Sequence, residues 1–152
     1  MIKSNKWKKR FISLAKSTAD WSKDPSTKVG AIAVNDKLQV ISQGYNGFPR
    51  GIADRIERLN DRETKYKLIV HAEMNIIYNA CYNGLSLENS TVFIYGLPLC
   101  PECAKGLIQC GVKKIVMKIP IENDLSGKWE TKFNEETCKM LLEADVKWEF
   151  IQ

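Results

Sequence analysis

The sequence predicts an α/β fold with three layers, α/β/α, around a mixed five-stranded sheet. Two observations carry this. Short apolar, β-branched runs alternate with segments of helical periodicity along the chain. The first two such runs are separated only by a turn signal, whereas the later ones are separated by helices, so antiparallel and parallel neighbours must coexist in one sheet. With 152 residues, a single domain over 1–152 is expected, and a chain of this size buries about two-thirds of its unfolded surface.

Taken in order, Ser4–Ser22 is predicted as a helix, with Trp7, Phe11, Leu14 or Ala15, and Thr18 on one stripe, Ser4 at its start and Asp24-Pro25 as its stop. Lys28–Val34 and Leu38–Gln43 form a hairpin about the Asn35-Asp36-Lys37 turn. Gly44–Gly51, with three glycines and a proline, is expected to be a loop without regular structure. The charged stretch Ile52–Lys67 reads as a short helix and an exposed loop. Leu68-Ile69-Val70 is extended and leads into a helix over Ala72–Cys81, which Asn83-Gly84 closes. A strand (Thr91–Tyr95), a helix (Pro101–Cys110, closed by Gly111), a strand (Val112–Lys118), a helix (Asn134–Glu143) and a strand (Lys147–Ile151) follow. The strand–helix–strand steps should be parallel, right-handed crossovers.

Composition narrows the function classes. Apolar residues make up 44% and charged residues 27%, ordinary for a globular domain. No apolar run of about 18 residues exists to span a membrane, and the basic start lacks a signal peptide's apolar core. A cytoplasmic protein with no membrane partner is expected. The net charge of +5 suits a phosphorylated small molecule or a nucleic acid equally.

Chemistry concentrates at three residues. Cys100 and Cys103 stand three apart at a predicted helix start, so both sulfurs lie on one side of the first turn, where the helix dipole favours thiolates. The only histidine, His71, also lies at a predicted helix start. His71 and Glu73 would point about 200° apart within a helix, so both meet one metal only if the chain is still entering the helix there. Two thiolates cancel the charge of Zn²⁺, and a neutral site acidifies water less, so a nearby carboxylate base, Glu73, is useful. A redox pair would not need His-x-Glu. A structural zinc would need a fourth ligand from Cys81, Cys110 or Cys138, which read as buried thiols on apolar helix faces. The spacing favours a catalytic zinc and leaves these two alternatives open.

At these residues, His71-Ala72-Glu73 and Cys100-Pro101-Glu102-Cys103, the sequence resembles the zinc-dependent cytidine deaminase superfamily, whose signature is H-x-E followed by P-C-x-x-C. Asp24–Ala31, Gly44–Gly51 and Cys103-Ala104-Lys105 narrow the resemblance to the deoxycytidylate (dCMP) deaminases, over about Trp7 to Met117. One departure is Leu99, where the signature has proline; Pro98 and Pro101 flank it.

The resemblance implies a cytidine-deaminase-like fold and one Zn²⁺ per chain on His71, Cys100 and Cys103, since no histidine remains for a second, structural zinc. It implies hydrolysis of dCMP to dUMP and ammonia, in dTTP precursor supply, with Glu73 carrying protons to N3 and to the leaving ammonia. Asn46 is then expected to bond the sugar hydroxyl or the base. Ser26, Thr27 and Lys28 offer donors for a 5′-phosphate. Ala72, inside the first metal motif, and Pro98, two residues before Cys100, join the substrate-binding set. Activation by dCTP, inhibition by dTTP, Mg²⁺ accompanying a triphosphate and a homo-oligomer, often a hexamer, also follow from the resemblance, with Gly44, Tyr45, Gly47 and Arg50 as candidate effector contacts. Two rivals are a polynucleotide deaminase of the tRNA adenosine type and a non-catalytic zinc-stabilised module. The basic N-terminal lysines favour the first only weakly, because a solvated outer helix face explains them; no nucleic-acid partner is expected.

Overall fold

The structure, a computed structural model, describes residues 2–152. Strands β1 (Gly30–Val34), β2 (Val40–Tyr45), β3 (Thr91–Tyr95), β4 (Lys114–Lys118) and β5 (Lys147–Phe150) make one sheet in the order β2-β1-β3-β4-β5. β1 is antiparallel to both β2 and β3, while β3, β4 and β5 are parallel. The mixed five-stranded sheet is therefore as the sequence predicts. Helices α1 (Asn5–Ala19), α2 (Ile56–Asn60), α3 (Arg62–Leu68), α4 (Ala72–Tyr82), α5 (Pro101–Gln109), α6 (Lys128–Lys132) and α7 (Cys138–Glu143) surround it, and a π-helical turn, Phe133–Thr137, joins α6 to α7.

Strand alternation divides the core into two layers. Ile32, Val34, Phe93 and Val116 face α1 and pack with Phe11, Ile12 and Ala15. Ala31, Ala33, Val92, Ile94, Ile115 and Met117 face the other way and pack with Ala72 and Ile76 of α4, Ala104 and Leu107 of α5, and Leu141 of α7. Covered on both faces, β1 is buried at every position, which is why its sequence shows no polar alternation. β2, at the sheet edge, alternates instead.

Several boundaries differ from the sequence reading. α1 ends at Ala19, and Ser4 makes no side-chain cap bond. Its Lys8 is buried and pairs with Glu149 of β5, so the N-terminal lysines are not all on a solvated face. Gly44 and Tyr45 are not loop but the end of β2. Glycine is required at 44 because α4 crosses closely: a Cβ there would lie 2.8 Å from the Ala72 carbonyl oxygen. The stretch expected to be a short helix and a loop is two short helices, and it buries Leu59 and Lys65. Leu68 closes α3 rather than starting an extended run. The helix expected from Asn134 begins earlier, at Lys128, and passes through the π turn.

In register, Gly30 lies opposite both Tyr45 and Tyr95. The start of β1 and the ends of β2 and β3 thus lie at the same end of the sheet, and the segments that leave it (Val29, Asn46 and Leu97) converge there. At Gly96 the chain turns with φ of +125°, and a Cβ would lie 2.6 Å from the Lys28 carbonyl oxygen, so only glycine lets β3 exit against the entry to β1.

Candidate metal centre and active site

Two helix starts supply the site. His71 is the N-cap of α4, with extended backbone at φ −65° and ψ 151°. Val70 before it is held extended by a two-way backbone bridge to Gly47. Glu73 follows in the first turn. The chain enters the helix between them, the condition under which both side chains address one point. Cys100 is the N-cap of α5, Pro101 begins that helix, and the Cys103 N–H donates to the Cys100 Sγ at 3.4 Å. Proline suits this position because its missing N–H would be unpaired there anyway.

The two helices pack together, and their first residues meet. His71 Nδ1 lies 3.5 Å from Cys100 Sγ and 3.4 Å from Cys103 Sγ. All three ligand atoms fall within 4.8 Å of one another. A tetrahedral zinc with ordinary Zn–S and Zn–N bonds spaces a sulfur and a nitrogen about 3.6 Å apart. The donor set therefore fits zinc in both chemistry and spacing. Among the described residues no fourth ligand joins this cluster. Cys81, expected to be a buried thiol, is exposed on α4, and Cys110 and Cys138 are only half-buried.

The electrostatics agree with a cation site. The Cys100 thiol is pulled down to about 4, first by the hydrogen bond from the Cys103 thiol and then by His71. Cys103 is pushed well above the usual thiol range by its bond to Cys100 and by burial. A positive charge between the two sulfurs would favour the thiolate form of both. The bond to Cys100 raises His71. Glu73, 4% exposed, is pushed up to about 7 by burial, against the opposing pull of a backbone N–H and of His71.

Beside the ligands lies a cavity of about 240 Å³. Four groups of residues line it: Asp24, Ser26, Thr27 and Val29 with Asn46; Lys65, Tyr66 and Ile69; His71 to Glu73 with Leu97 to Pro101; and Trp129, Lys132, Phe133, Glu136 and Thr137 from the C-terminal helices. The Ser26–Thr27 segment is rigidly tied. Asp24 Oδ1 accepts the N–H groups of Ser26 (2.8 Å) and Thr27 (3.2 Å). Lys65 Nζ donates to Asp24 Oδ1 at 3.1 Å and to Ser26 Oγ at 3.2 Å.

A family described as "Cytidine and deoxycytidylate deaminase zinc-binding region" matches residues 5–119, which include His71, Cys100, Cys103 and Glu73. The chain belongs to this family. It is 38% identical over 128 residues to an uncharacterized deaminase of Aliivibrio fischeri, covering 84% of this chain and 82% of that one. It is 32% identical over 156 residues to a deoxycytidylate deaminase of Mus musculus, covering 91% and 86%. The crystal structure of a dCMP deaminase from the cyanophage S-TIM5, in complex with dCMP and dUMP, shares the fold with a TM-score of 0.76 at 21% identity, over 99% of this chain and all of that one.

Among the residues singled out from the sequence of this deaminase-family chain, Ser26, Thr27, Asn46, Ala72 and Pro98 line the cavity with His71, Glu73 and Cys100. Lys28 does not. It is exposed, because successive side chains alternate in an extended segment and Val29 takes the inward position. Asn46 is buried, and its amide is engaged by the chain itself: Oδ1 accepts the Val29 N–H at 2.9 Å, and Nδ2 donates to the Thr27 carbonyl at 2.9 Å. In this structure it is a strut beneath Ser26 and Thr27. Gly44, Tyr45, Gly47 and Arg50 all lie outside the cavity lining. Arg50 instead donates to Asn79 and stacks over Tyr82.

The sequence reading missed Lys65, Trp129, Lys132 and Thr137. Lys65 was hidden in a run of like-looking charges. Its partner was more legible, since an aspartate just before Pro-Ser-Thr commonly turns back onto the following N–H groups. The C-terminal residues carried no motif at all.

Lys65 and Asp24 are 7% and 8% exposed at their side chains. Lys65→Met should therefore cost about 3–5 kcal/mol by denaturant titration, because it leaves Asp24 buried and unpaired. Lys23→Ala, which removes an exposed pair with Asp54, should cost less than about 1 kcal/mol. Equal losses would contradict the clamp.

Proposed function

We propose that this chain, acting as a single deaminase domain, hydrolyses dCMP to dUMP and ammonia with one Zn²⁺ held by His71, Cys100 and Cys103. The observation that carries the reading is the buried carboxyl of Glu73 next to a three-ligand cluster that opens on a small-molecule cavity. A closed structural site would have neither the missing ligand nor the cavity. Bound zinc supplies a Lewis acid that makes water a better nucleophile at neutral pH. Glu73 takes the proton released as water adds to C4, delivers it to N3, and passes a proton to the departing ammonia. Burial keeps that carboxyl away from bulk water, so its protons go to the substrate.

The monophosphate preference is supported by polar groups on the cavity wall. Ser26 and Thr27 present hydroxyls and Lys132 brings positive charge, while Lys65, its charge offset by Asp24, orients Ser26. Lys132 takes the role first assigned to Lys28, since it lines the cavity and carries no carboxylate partner among the salt bridges of the described residues. Relatives named as deoxycytidylate deaminases support the choice of base and sugar. The same reading extends, on the resemblance, to activation by dCTP, inhibition by dTTP, Mg²⁺ with the triphosphate, a homo-hexamer and a cytoplasmic setting. No helix among the described residues is long and apolar enough to cross a membrane.

Glu73→Gln is expected to retain zinc by metal analysis while turnover of dCMP falls at least about 100-fold; a normal rate would remove Glu73 from the chemistry. Lys132→Ala should raise the KM for dCMP several-fold and leave that for deoxycytidine unchanged. Equal effects on both substrates would sink the phosphate contact, and ammonia release from an RNA hairpin in preference to dCMP would replace the substrate class.

A further inference from the structure

We propose that Thr137 is a positioning residue for the zinc ligand Cys100, so that the C-terminal helical segment forms part of the frame of the metal site. The inference rests on the zinc assignment above but not on the identity of the substrate. Thr137 is 1% exposed, and its hydroxyl donates to the Leu99 carbonyl at 3.0 Å. Leu99, also 1% exposed, is bonded directly to Cys100. A threonine hydroxyl within a helix ordinarily turns back to a carbonyl of its own preceding turn. Here it reaches across to a different segment, from the last residue of the π turn.

The bond falls where the chain departs from its family signature. Proline precedes the first metal cysteine in that signature and would fix the backbone there by its ring. Leu99 has no ring, and without Thr137 its buried carbonyl would lose its donor, at the cost of an unpaired polar group. The π turn is itself anchored. Phe133, at its start, is 2% exposed and meets Trp148 and Phe150 edge-on at 6.0 and 5.1 Å between ring centroids. The clamp on Cys100 is thus fastened to β5, and Thr137 lies beyond the family-matched residues 5–119. Trp129, Lys132 and Glu136, in the same helical segment, line the cavity, so metal loop and cavity wall are held as one unit.

The test uses the zinc-loaded protein. Thr137→Val keeps the shape and removes the donor, Thr137→Ser keeps the donor, and Val116→Ala destabilises the opposite, α1-facing layer as a control. Zinc loss to excess chelator should be about 10–100-fold faster in Thr137→Val, and also in Thr137→Ala should the valine not fold. Thr137→Ser should stay within about 3-fold of the parent, and Val116→Ala should keep the parent's zinc-release rate despite a lower Tm. With dCMP, Thr137→Val should lose kcat with little change in KM. The proposal is overturned by a parental zinc-release rate in Thr137→Val, by a Thr137→Ser that releases zinc as fast, or by Val116→Ala accelerating release equally. Zinc release does not depend on turnover, so failure of the dCMP reading alone leaves these outcomes distinct.

Discussion

The meeting of two helix N-termini at one point is the constraint on which the rest of this structure depends. α4 and α5 each begin with a residue in extended conformation, His71 and Cys100, and the side chains of these two caps and of Cys103 converge to 3.4–3.5 Å. The arrangement favours negative charge, because the unpaired N–H groups at a helix start point at it. It also places the buried carboxyl of Glu73 two residues beyond His71. Neither helix could take this position alone. α4 sits close to β2 because Gly44 leaves room for it, and α5 starts where β3 leaves the sheet by way of Gly96.

Around this point the chain uses buried polar groups rather than apolar packing alone. The Lys65–Asp24 pair loses hydration on both partners, and such pairs seldom add net stability. What it fixes is the orientation of Ser26 and Thr27, which Asn46 supports from beneath. The C-terminal segment does the same from the other side through Thr137. The site is therefore a small volume bounded by segments distant in sequence and tied by directional bonds.

Much of this was legible in the sequence, and the reason is physical. Strands covered on both faces must be continuously apolar, so β1, β3 and β4 announced themselves, and Thr91–Tyr95 falls within the boundaries expected. The two-residue spacing of His71 and Glu73 required an extended-to-helix junction, which the backbone shows. The rest was not legible because it depends on long-range neighbours. Gly44 read as loop because its glycine serves an approaching helix and not a turn. Lys65 and Lys8 read as solvated because no local pattern reveals a partner 41 residues away or on the far edge strand. The exposure of Cys81 shows the opposite error, an apolar residue type assigned to a buried face it does not occupy.

The central claim is the ligand set, and X-ray absorption at the zinc edge of the metal-loaded protein tests it most directly. The account predicts one zinc per chain, with two sulfurs at about 2.3 Å and nitrogen or oxygen completing a four-coordinate shell. A third or fourth sulfur in that shell, or a metal count near two per chain, would contradict it.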